Sequence, residues 1–242
     1  MESNRANEII KEVRQQYNSI AIEWHSSRFF PSGIKMKQVK RLKKDQRVLD
    51  LGCGNGLLAG EIIKRGVKYY GIDIASTLVK IARRKYAQAI KSHAAYFKVG
   101  DVCKRLPYKS NFFDAAISFA VLHHIPGANN RLQFLRELRR VLKPDVRASI
   151  IVWNLLNDWP RKRYGIEEQI KNPSRDLDRN DFLVVWKATP GKNIKRYIHN
   201  FSATELKKLA QQAGFKKITI DYYTRAGKKE KNGEELVLNV WK

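Results

Sequence analysis

The chain has 242 residues and carries 48 Lys and Arg against 23 Asp and Glu, a formal net charge of +25. Its two cysteines exclude a disulfide framework, and without a secretory segment they indicate a reducing, cytoplasmic location. No apolar run reaches 18 residues, which predicts that no segment spans a membrane. The excess charge is spread over the chain, with +6 in residues 1–47, +10 in 48–160 and +9 in 161–242. Such a spread favours a polyanionic partner, nucleic acid before a membrane surface.

The N-terminal part reads as helical. Apolar residues at spacings of three and four predict a helix over residues 4–24, and a second short helix is predicted over about 33–43. An aromatic and basic loop that includes Arg28 is expected between them. Two interpretations stay open. Either the first helix packs on the rest of the fold with Tyr17 in the core, or it forms a lid over a ligand with Tyr17 and Arg28 facing the site.

From residue 47 onwards, apolar runs alternate with helical patterns. The predicted strands are 47–51, 68–73, 94–99, 112–119 and 147–153, and the predicted helices are 56–65, 76–91 (with Ser76 as N-cap) and 129–142. This alternation predicts a parallel sheet covered by helices on both faces. After an interruption at 154–200, a capping box at Ser202 and Glu205 begins a helix over 203–213 that ends at Gly214.

Two strands end the chain, 216–223 and 235–241, with only a turn between them, which predicts an antiparallel pair. The expected fold class is therefore α/β, with a doubly wound seven-stranded sheet that is mostly parallel and has an antiparallel last strand. A helical extension precedes it.

A glycine loop follows the first strand. Gly52, Gly54 and Gly56 lie at alternate positions after an apolar run that ends in Asp50 and Leu51. Glycine permits positive φ and leaves room for a ligand beside the backbone. The pattern G-x-G-x-G lacks the third glycine spacing of a dinucleotide fingerprint. Asp73 ends the second strand 21 residues after Gly52, the place where a ribose diol is held in a βαβ unit.

The Asp50–Gly56 loop, Asp73 and the segment from Asp114 to His124 resemble class I S-adenosylmethionine (SAM)-dependent methyltransferases, which have a Rossmann-like fold. The resemblance implies SAM as the cofactor. Asp73 would accept hydrogen bonds from the ribose hydroxyls and Asp101 from the adenine amino group. The residues expected to bind the cofactor are Asp50, Gly52, Cys53, Gly54, Asn55, Gly56, Asp73, Ile74, Asp101, Val102 and Ala120.

A narrower resemblance rests on four blocks outside the glycine loop. These blocks are Tyr17 to Arg28, Ala120–His124, Ile151–Trp153 and Arg196–Phe201. They are similar to the tRNA carboxymethyluridine methyltransferases, which act on a modified wobble uridine. Pro144-Asp145-Val146 replaces the usual Pro-Gly-Gly turn, and residues 154–194 do not match the family.

The narrower resemblance implies methyl esterification of 5-carboxymethyluridine. A carboxylate has a pKa near ~4 and is ionised at neutral pH, so it needs a cation and orientation rather than a general base. The residues expected to hold it are Arg28, Arg196, Tyr197 and His199, with His124 nearby. An amine or phenol acceptor would instead need a histidine base. His123 and His124 have no third ligand at a fitting spacing, so no metal is expected.

Residues 1–242 are expected to form a single methyltransferase domain. Its parts are a helical lid (1–45), a SAM-binding core (46–153), a substrate-recognition insertion (154–200) and a C-terminal helix with a strand pair (201–242). Cations and aromatics interleave at Trp159–Tyr164 and Lys195–His199, a mixture that suits RNA.

The expected partner is tRNA. Eukaryotic members of the family work with a small zinc-binding activator subunit, and the sequence leaves open whether this chain uses one. Such a subunit would pair with the edge strand at 94–99 through Tyr96 and Phe97. The alternatives are a small-molecule O- or N-methyltransferase of the same fold and an inactive RNA-binding scaffold.

Overall fold

The computed structural model describes residues 1–27, 30–186 and 194–242. Seven strands form one sheet in the order β3-β2-β1-β4-β5-β9-β8, and β6 pairs with β7 in a separate antiparallel sheet. The strands are β1 Arg47–Leu51, β2 Lys68–Asp73, β3 Ala95–Val99, β4 Ala115–Phe119, β5 Arg147–Trp153, β6 Asp181–Trp186, β7 Ile194–His199, β8 Lys217–Tyr223 and β9 Glu235–Trp241. Strands β1 to β5 are parallel, and β9 is antiparallel to both β5 and β8. The predicted fold class is confirmed.

The described residues form ten α-helices, which include helices on both faces of the large sheet. They are α1 Ser3–Ser19, α2 Ala21–Ser26, α3 Gly33–Val39, α4 Ala59–Ile63, α5 Ser76–Lys85, α6 Ala87–Lys91, α7 Ala128–Val141, α8 Asp158–Arg163, α9 Ile166–Lys171 and α10 Ala203–Gln212. Side chains alternate between the faces along each strand. In β9, Leu236 and Leu238 pack on the face that α7 and α10 cover, and Val237 packs on the face that α3 and α4 cover. Among the described residues, no helix is both long and apolar enough to cross a membrane.

The N-terminal helix differs from the prediction because the backbone breaks at Ile20, where φ is −106° and ψ is 12°. Trp24, the last residue of the predicted helix, lies in the separate helix α2 after this break. The apolar spacing continues across the break, so the sequence pattern does not reveal it. Ser76 is not the N-cap of α5, since Ala75 holds that position and Asn18 Oδ1 of α1 accepts a hydrogen bond from Thr77 N at 2.9 Å.

Two other predicted helices are also shorter in the structure. The helix predicted over 76–91 divides at Tyr86, where φ is −111°. The helix predicted from residue 56 begins only at Ala59, because Gly54 and Gly56 take φ of 54° and 72° in a turn. The turn after β1 is therefore longer than the sequence pattern indicated.

The described part of the interruption at 154–200 has its own small core. Helices α8 and α9 pack with the β6–β7 pair, and the buried residues are Leu155, Ile166, Phe182, Val184 and Ile198. Helix α10 follows with both predicted caps. Ser202 Oγ accepts from Glu205 N at 3.0 Å, and Gly214 has φ of 91° with its N–H donating to Gln211 O. The N-cap at Ser202 and the C′ glycine are confirmed, whereas the Glu205 carboxylate, the other half of the predicted capping box, lies 2.8 Å from His199 Nε2.

Candidate active site

The glycine loop presents backbone rather than side chains to the space above the sheet. Gly52 has φ of 79°, and a Cβ there would lie 2.1 Å from a Val121 methyl carbon. A Cβ on Gly54 would instead project into open space, with Trp24 Nε1 and Leu78 Cδ1 4.0 Å away. Substitution at either position would therefore change the loop or fill the space beside it.

A cavity of about 1230 Å³, counted out to its open mouth, lies beside this loop at the carboxyl ends of the parallel strands. Ligands bind at this position in doubly wound sheets. Ten of the eleven residues expected to bind a cofactor line it: Asp50, Gly52, Cys53, Gly54, Asn55, Asp73, Ile74, Asp101, Val102 and Ala120. Gly56 does not. A Cβ there would lie 2.9 Å from Tyr86 Cε2, so this glycine makes room for the Tyr86 ring.

Asp73 is held in place by the backbone around it. Gly54 N donates to its Oδ2 at 2.8 Å and Ala75 N donates to its Oδ1 at 2.8 Å. Burial raises the pKa of the Asp73 carboxyl, and the backbone N–H groups oppose that rise. Each carboxylate oxygen keeps accepting capacity for a ligand hydroxyl. The geometry therefore fits a carboxylate that receives a diol.

Asp50 and Asp101 line the same cavity but differ in burial and in hydrogen-bond partners. Tyr69 Oη donates to Asp50 Oδ2 at 2.6 Å, and burial raises the pKa of Asp50 to about 7. Asp101 is partly exposed, and its Oδ1 accepts from Cys103 N at 2.8 Å. Burial raises the pKa of the Cys53 thiol well above its usual value, so Cys53 is a packing residue of the loop rather than a nucleophile.

Helices α1 and α2 form the wall of the cavity opposite the glycine loop. They contribute Ile10, Val13, Tyr17 and Trp24. Tyr17 faces the cavity, as the second of the two interpretations expected. Arg28, expected beside it, lies outside the described residues.

The two adjacent histidines are both neutral. His124 Nδ1 lies 2.7 Å from the Tyr197 carbonyl oxygen, so it carries the proton, and Nε2 accepts from Tyr17 Oη at 2.9 Å. Burial first and the Arg196 charge second lower the pKa of His124 to about 3. His123 Nδ1 accepts from Trp153 N at 3.1 Å, which places its proton on Nε2. Burial lowers the pKa of His123 as well.

Arg196 is 2% exposed and lies between two tryptophans. Its guanidinium carbon is 5.5 Å from the Trp153 ring centre and 5.2 Å from that of Trp186. Its Nε and Nη1 are buried without a hydrogen-bond partner in the described part of the chain. A buried guanidinium with open donors is a binding group for an anion.

Arg196 lines a second cavity, of about 1240 Å³, next to the first. Lys35, Leu57 and Trp153 line both cavities and form their common wall. The remaining lining residues of the second cavity are Ser27, Phe30, Pro31, Ser32, Trp159, Arg163, Tyr164, Val185, Trp186, Arg196, Arg225 and Glu235. An acceptor held there would lie beside a ligand bound by the glycine loop.

Tyr197 and His199 do not join Arg196, because successive side chains of a strand point to opposite faces. Tyr197 Oη donates to Asp181 Oδ1 at 2.8 Å. The two nitrogens of His199 lie 2.6 Å from Asp181 Oδ1 and 2.8 Å from Glu205 Oε1. Neither residue lines either cavity. Their contacts instead tie β7 to β6 and α10.

Sequence reasoning did not select Lys35, Trp186 or Glu235 for the site. The sequence pattern could have indicated Glu235, because an antiparallel strand begins at the carboxyl end of the neighbouring strand of the parallel sheet. No sequence pattern indicated Lys35 or Trp186, because only the packing of α3 and β6 brings them to the site. The described residues contain no group of three or more His, Cys, Asp or Glu that could hold a metal ion.

The sheet order, the glycine loop and the acidic strand ends define a class I SAM-dependent methyltransferase. A family model described as "Methyltransferase domain" matches residues 49–150. A relative from Schizosaccharomyces pombe named tRNA (carboxymethyluridine(34)-5-O)-methyltransferase is 30% identical over 219 residues, covering 84% of this chain and 87% of the relative. The chain belongs to the tRNA (carboxymethyluridine(34)-5-O)-methyltransferase family.

A further relative agrees with this family, and solved structures agree with the fold. The mouse relative ALKBH8 is 35% identical over 155 residues, which are 63% of this chain and 21% of that longer protein. A SAM-dependent methyltransferase structure from Methanosarcina mazei has a TM-score of 0.62 and 26% identity, covering 84% of this chain and 95% of that one. A Haloferax volcanii putative methyltransferase, solved in complex with the Trm112 activator, has a TM-score of 0.67 and 17% identity, covering 95% and 96%.

The cofactor is SAM, and the first cavity fits it. Gly54 borders space that a Cβ would fill, and Asp73 offers a fixed carboxylate to a ribose. Bound there, SAM would supply an electrophilic methyl group on a sulfonium.

Proposed function

We propose that the protein transfers the methyl group of SAM to tRNA and esterifies the carboxylate of 5-carboxymethyluridine at the wobble position. The carboxylate oxygen would form a bond to the methyl carbon as the methyl–sulfur bond breaks, and no proton has to move. The observation that carries the proposal is Arg196, a buried cation with open donors beside the cofactor cavity. The names of the relatives support the same reaction.

The state of the histidines favours a carboxylate over an amine or phenol acceptor. His124 has both nitrogens engaged and a pKa of about 3, so it is a poor proton acceptor. His123 presents Nε2–H, which is a donor. A carboxylate is ionised at neutral pH and needs neither residue. A small-molecule amine or phenol methyltransferase would need a base that these two histidines do not offer.

The second cavity has the charge that such an acceptor requires. Lys35, Arg163, Arg196 and Arg225 line it together with Glu235. A guanidinium can bind a carboxylate through two parallel hydrogen bonds, and burial strengthens the attraction. We propose Arg196 as the main carboxylate contact, with Lys35 on the wall toward the methyl donor. We propose that Arg28 also contacts the acceptor carboxylate.

The mouth of the second cavity suits single-stranded RNA. Phe30 is 90% exposed and Trp159 is 45% exposed, and both line this cavity. Arg225 lies 4.6 Å and Arg163 5.4 Å from the centre of the Trp159 ring. Exposed aromatics flanked by cations stack unpaired bases and hold phosphates. The nucleotides that flank the acceptor would bind here.

The test is incubation of the protein with labelled SAM and total tRNA from a strain that lacks the enzyme. We expect label in tRNA, released as methanol by mild alkali because the product is an ester. Asp73→Ala serves as the control with weakened cofactor binding. Label that stays out of tRNA, or that enters as an alkali-stable product, overturns the proposal.

We also propose that a Trm112-like activator pairs with β3. This strand has one neighbour, β2, in the described part of the large sheet, and an unpaired edge can accept a strand from another protein. The expected contact through Phe97 needs correction, because Phe97 is 5% exposed and packs with Tyr69 and Tyr86. Val99, 46% exposed, is the better candidate.

The activator proposal is tested by size-exclusion chromatography of the chain mixed with a Trm112-type protein. We expect a complex with the wild-type chain and a weakened one with Val99→Asp. The control is Ile170→Asp, which changes a similarly exposed residue on α9. Failure of the wild-type chain to form a complex would remove this partner.

A further inference from the structure

Glu235 lies at the rim of the site although it belongs to the C-terminal strand pair. It is the first residue of β9, and its neighbours in register are Trp153 on β5 and Tyr223 on β8. Because β9 runs antiparallel to β5, its first residue lies at the carboxyl end of β5. Glu235 therefore lines the second cavity.

The Glu235 side chain points to the face that carries the acceptor site. Val237, two residues further along β9, packs with Ile151 in the core under α3. Side chains two residues apart share a face, so Glu235 and Trp153 both face the α3 side at the rim. Arg196 contacts the Trp153 ring from β7. Glu235 and Arg196 thus lie beside the same tryptophan.

This carboxylate is incompletely paired. Glu235 is 3% exposed, and its Oε2 has no hydrogen-bond partner in the described part of the chain. Burial raises the pKa of its carboxyl, and the charges of Lys35 and Arg225 oppose that rise. A buried acceptor without a donor is unfavourable, because it has lost its hydrogen bonds to water. A ligand that brings an N–H donor would remove that cost.

We propose that Glu235 is a specificity-determining residue that accepts a hydrogen bond from the imide N–H of the acceptor's pyrimidine ring, while Arg196 holds the carboxylate arm. The assignment rests on the proposed function. A uracil-type ring carries a donor at N3, whereas a cytosine-type ring carries an acceptor there, which would face the Glu235 oxygen with no proton between them. A site with a buried group for one ring pattern rejects the ring that leaves the group unpaired.

The competing role for Glu235 is neutralisation of Lys35 and Arg225 without contact to the acceptor. The two roles differ in whether the effect of Glu235 depends on the N3 proton of the acceptor. A neutralising residue would affect every acceptor alike. A residue that accepts the N3 hydrogen bond would affect only acceptors that have that proton. Discrimination between two acceptors is therefore the informative readout.

The experiment uses two synthetic anticodon stem-loops, one with 5-carboxymethyluridine and one with its N3-methyl derivative. The kcat/KM ratio between them is measured for the wild type, Glu235→Gln and Glu235→Leu. We expect a wild-type preference of roughly 10- to 100-fold for the N3–H form, the range of one buried hydrogen bond. Gln keeps an accepting oxygen and should retain most of the preference. Leu should bring the ratio close to one.

The matched control is Glu234→Gln, which alters the adjacent carboxylate that accepts from Arg225 N. It should keep the wild-type ratio. SAM titration of every variant checks that the cofactor cavity is intact. A Leu variant with the wild-type ratio, or a wild type that modifies both RNAs equally, overturns the role of Glu235 and leaves the proposed function standing. A wild type that modifies neither RNA overturns both.

Discussion

The two neighbouring cavities differ in how their polar groups are satisfied. In the cofactor cavity, Asp73 accepts two backbone N–H groups and Asp50 accepts the Tyr69 hydroxyl. In the second cavity, Arg196 and Glu235 are buried with atoms that have no partner among the described residues. These carboxylates of the first cavity are therefore already hydrogen-bonded within the protein, and backbone contacts fix its shape. If the second cavity holds the acceptor, as proposed, its specificity is expected to lie in these unpaired groups.

The largest expected effect comes from Arg196→Ala, which removes the main cation of the second cavity. We expect kcat/KM for tRNA to fall by about 10²- to 10³-fold, the range for losing one charge-stabilising donor. SAM affinity should stay within about twofold, because Arg196 does not line the cofactor cavity.

Arg196→Lys provides the matched control for that variant. It keeps the charge but loses the planar fork, so intermediate activity is expected. Unimpaired turnover by Arg196→Ala would show that the second cavity does not hold the acceptor.

The next effect in size concerns the cofactor cavity alone. Asp73→Ala should weaken SAM binding by ten-fold or more, since hydrogen bonds to a charged group contribute about 1.5–3 kcal/mol each. Asp73→Asn keeps one accepting oxygen and should weaken it less. Calorimetric titration with SAM measures both, and tRNA binding should remain nearly unchanged. Equal SAM affinity in wild type and Asp73→Ala would contradict the assignment of Asp73 to the ribose.

The same contrast explains what the sequence could and could not predict. The cofactor residues follow one another in short segments, and glycines with an acid at a fixed distance encode the loop directly. The second cavity draws on α3, β5, β6, β7 and β9, which only the fold brings together. Arg196 follows from the narrower family resemblance, which implies a carboxylate acceptor that a cation holds. Tyr197 and His199 were grouped with it, although the alternation along β7 directs them to the opposite face.

A smaller effect is expected from His199, which lies on β7 with Arg196 but outside the second cavity. Burial lowers the pKa of His199, but hydrogen bonds with Asp181 and Glu205 outweigh that and raise it above the usual value of about 6.5. The stabilisation is therefore fully present below pH ~6.5 and is lost as pH rises through the higher folded-state pKa.

Urea unfolding at pH 6.5 and pH 9 checks this. The wild-type free energy of unfolding should fall more over that interval than that of His199→Gln, which cannot titrate. Equal changes in the two proteins would mean that His199 is not charged between its carboxylates.

The smallest expected effect tests the contact that joins the two regions through α1. Tyr17 Oη donates to His124 Nε2, and His124 Nδ1 donates to the Tyr197 carbonyl of β7. Tyr17→Phe would leave Nε2 without a donor, so we expect a loss of about 1 kcal/mol in unfolding free energy.

The ring contact with Trp24, at 5.1 Å between centroids, should persist in Tyr17→Phe and be lost in Tyr17→Leu. Tyr17→Leu should therefore lose more stability and also weaken SAM binding, because the ring lines the cofactor cavity. If the two variants behaved alike, the hydroxyl rather than the ring would account for the whole contribution of Tyr17.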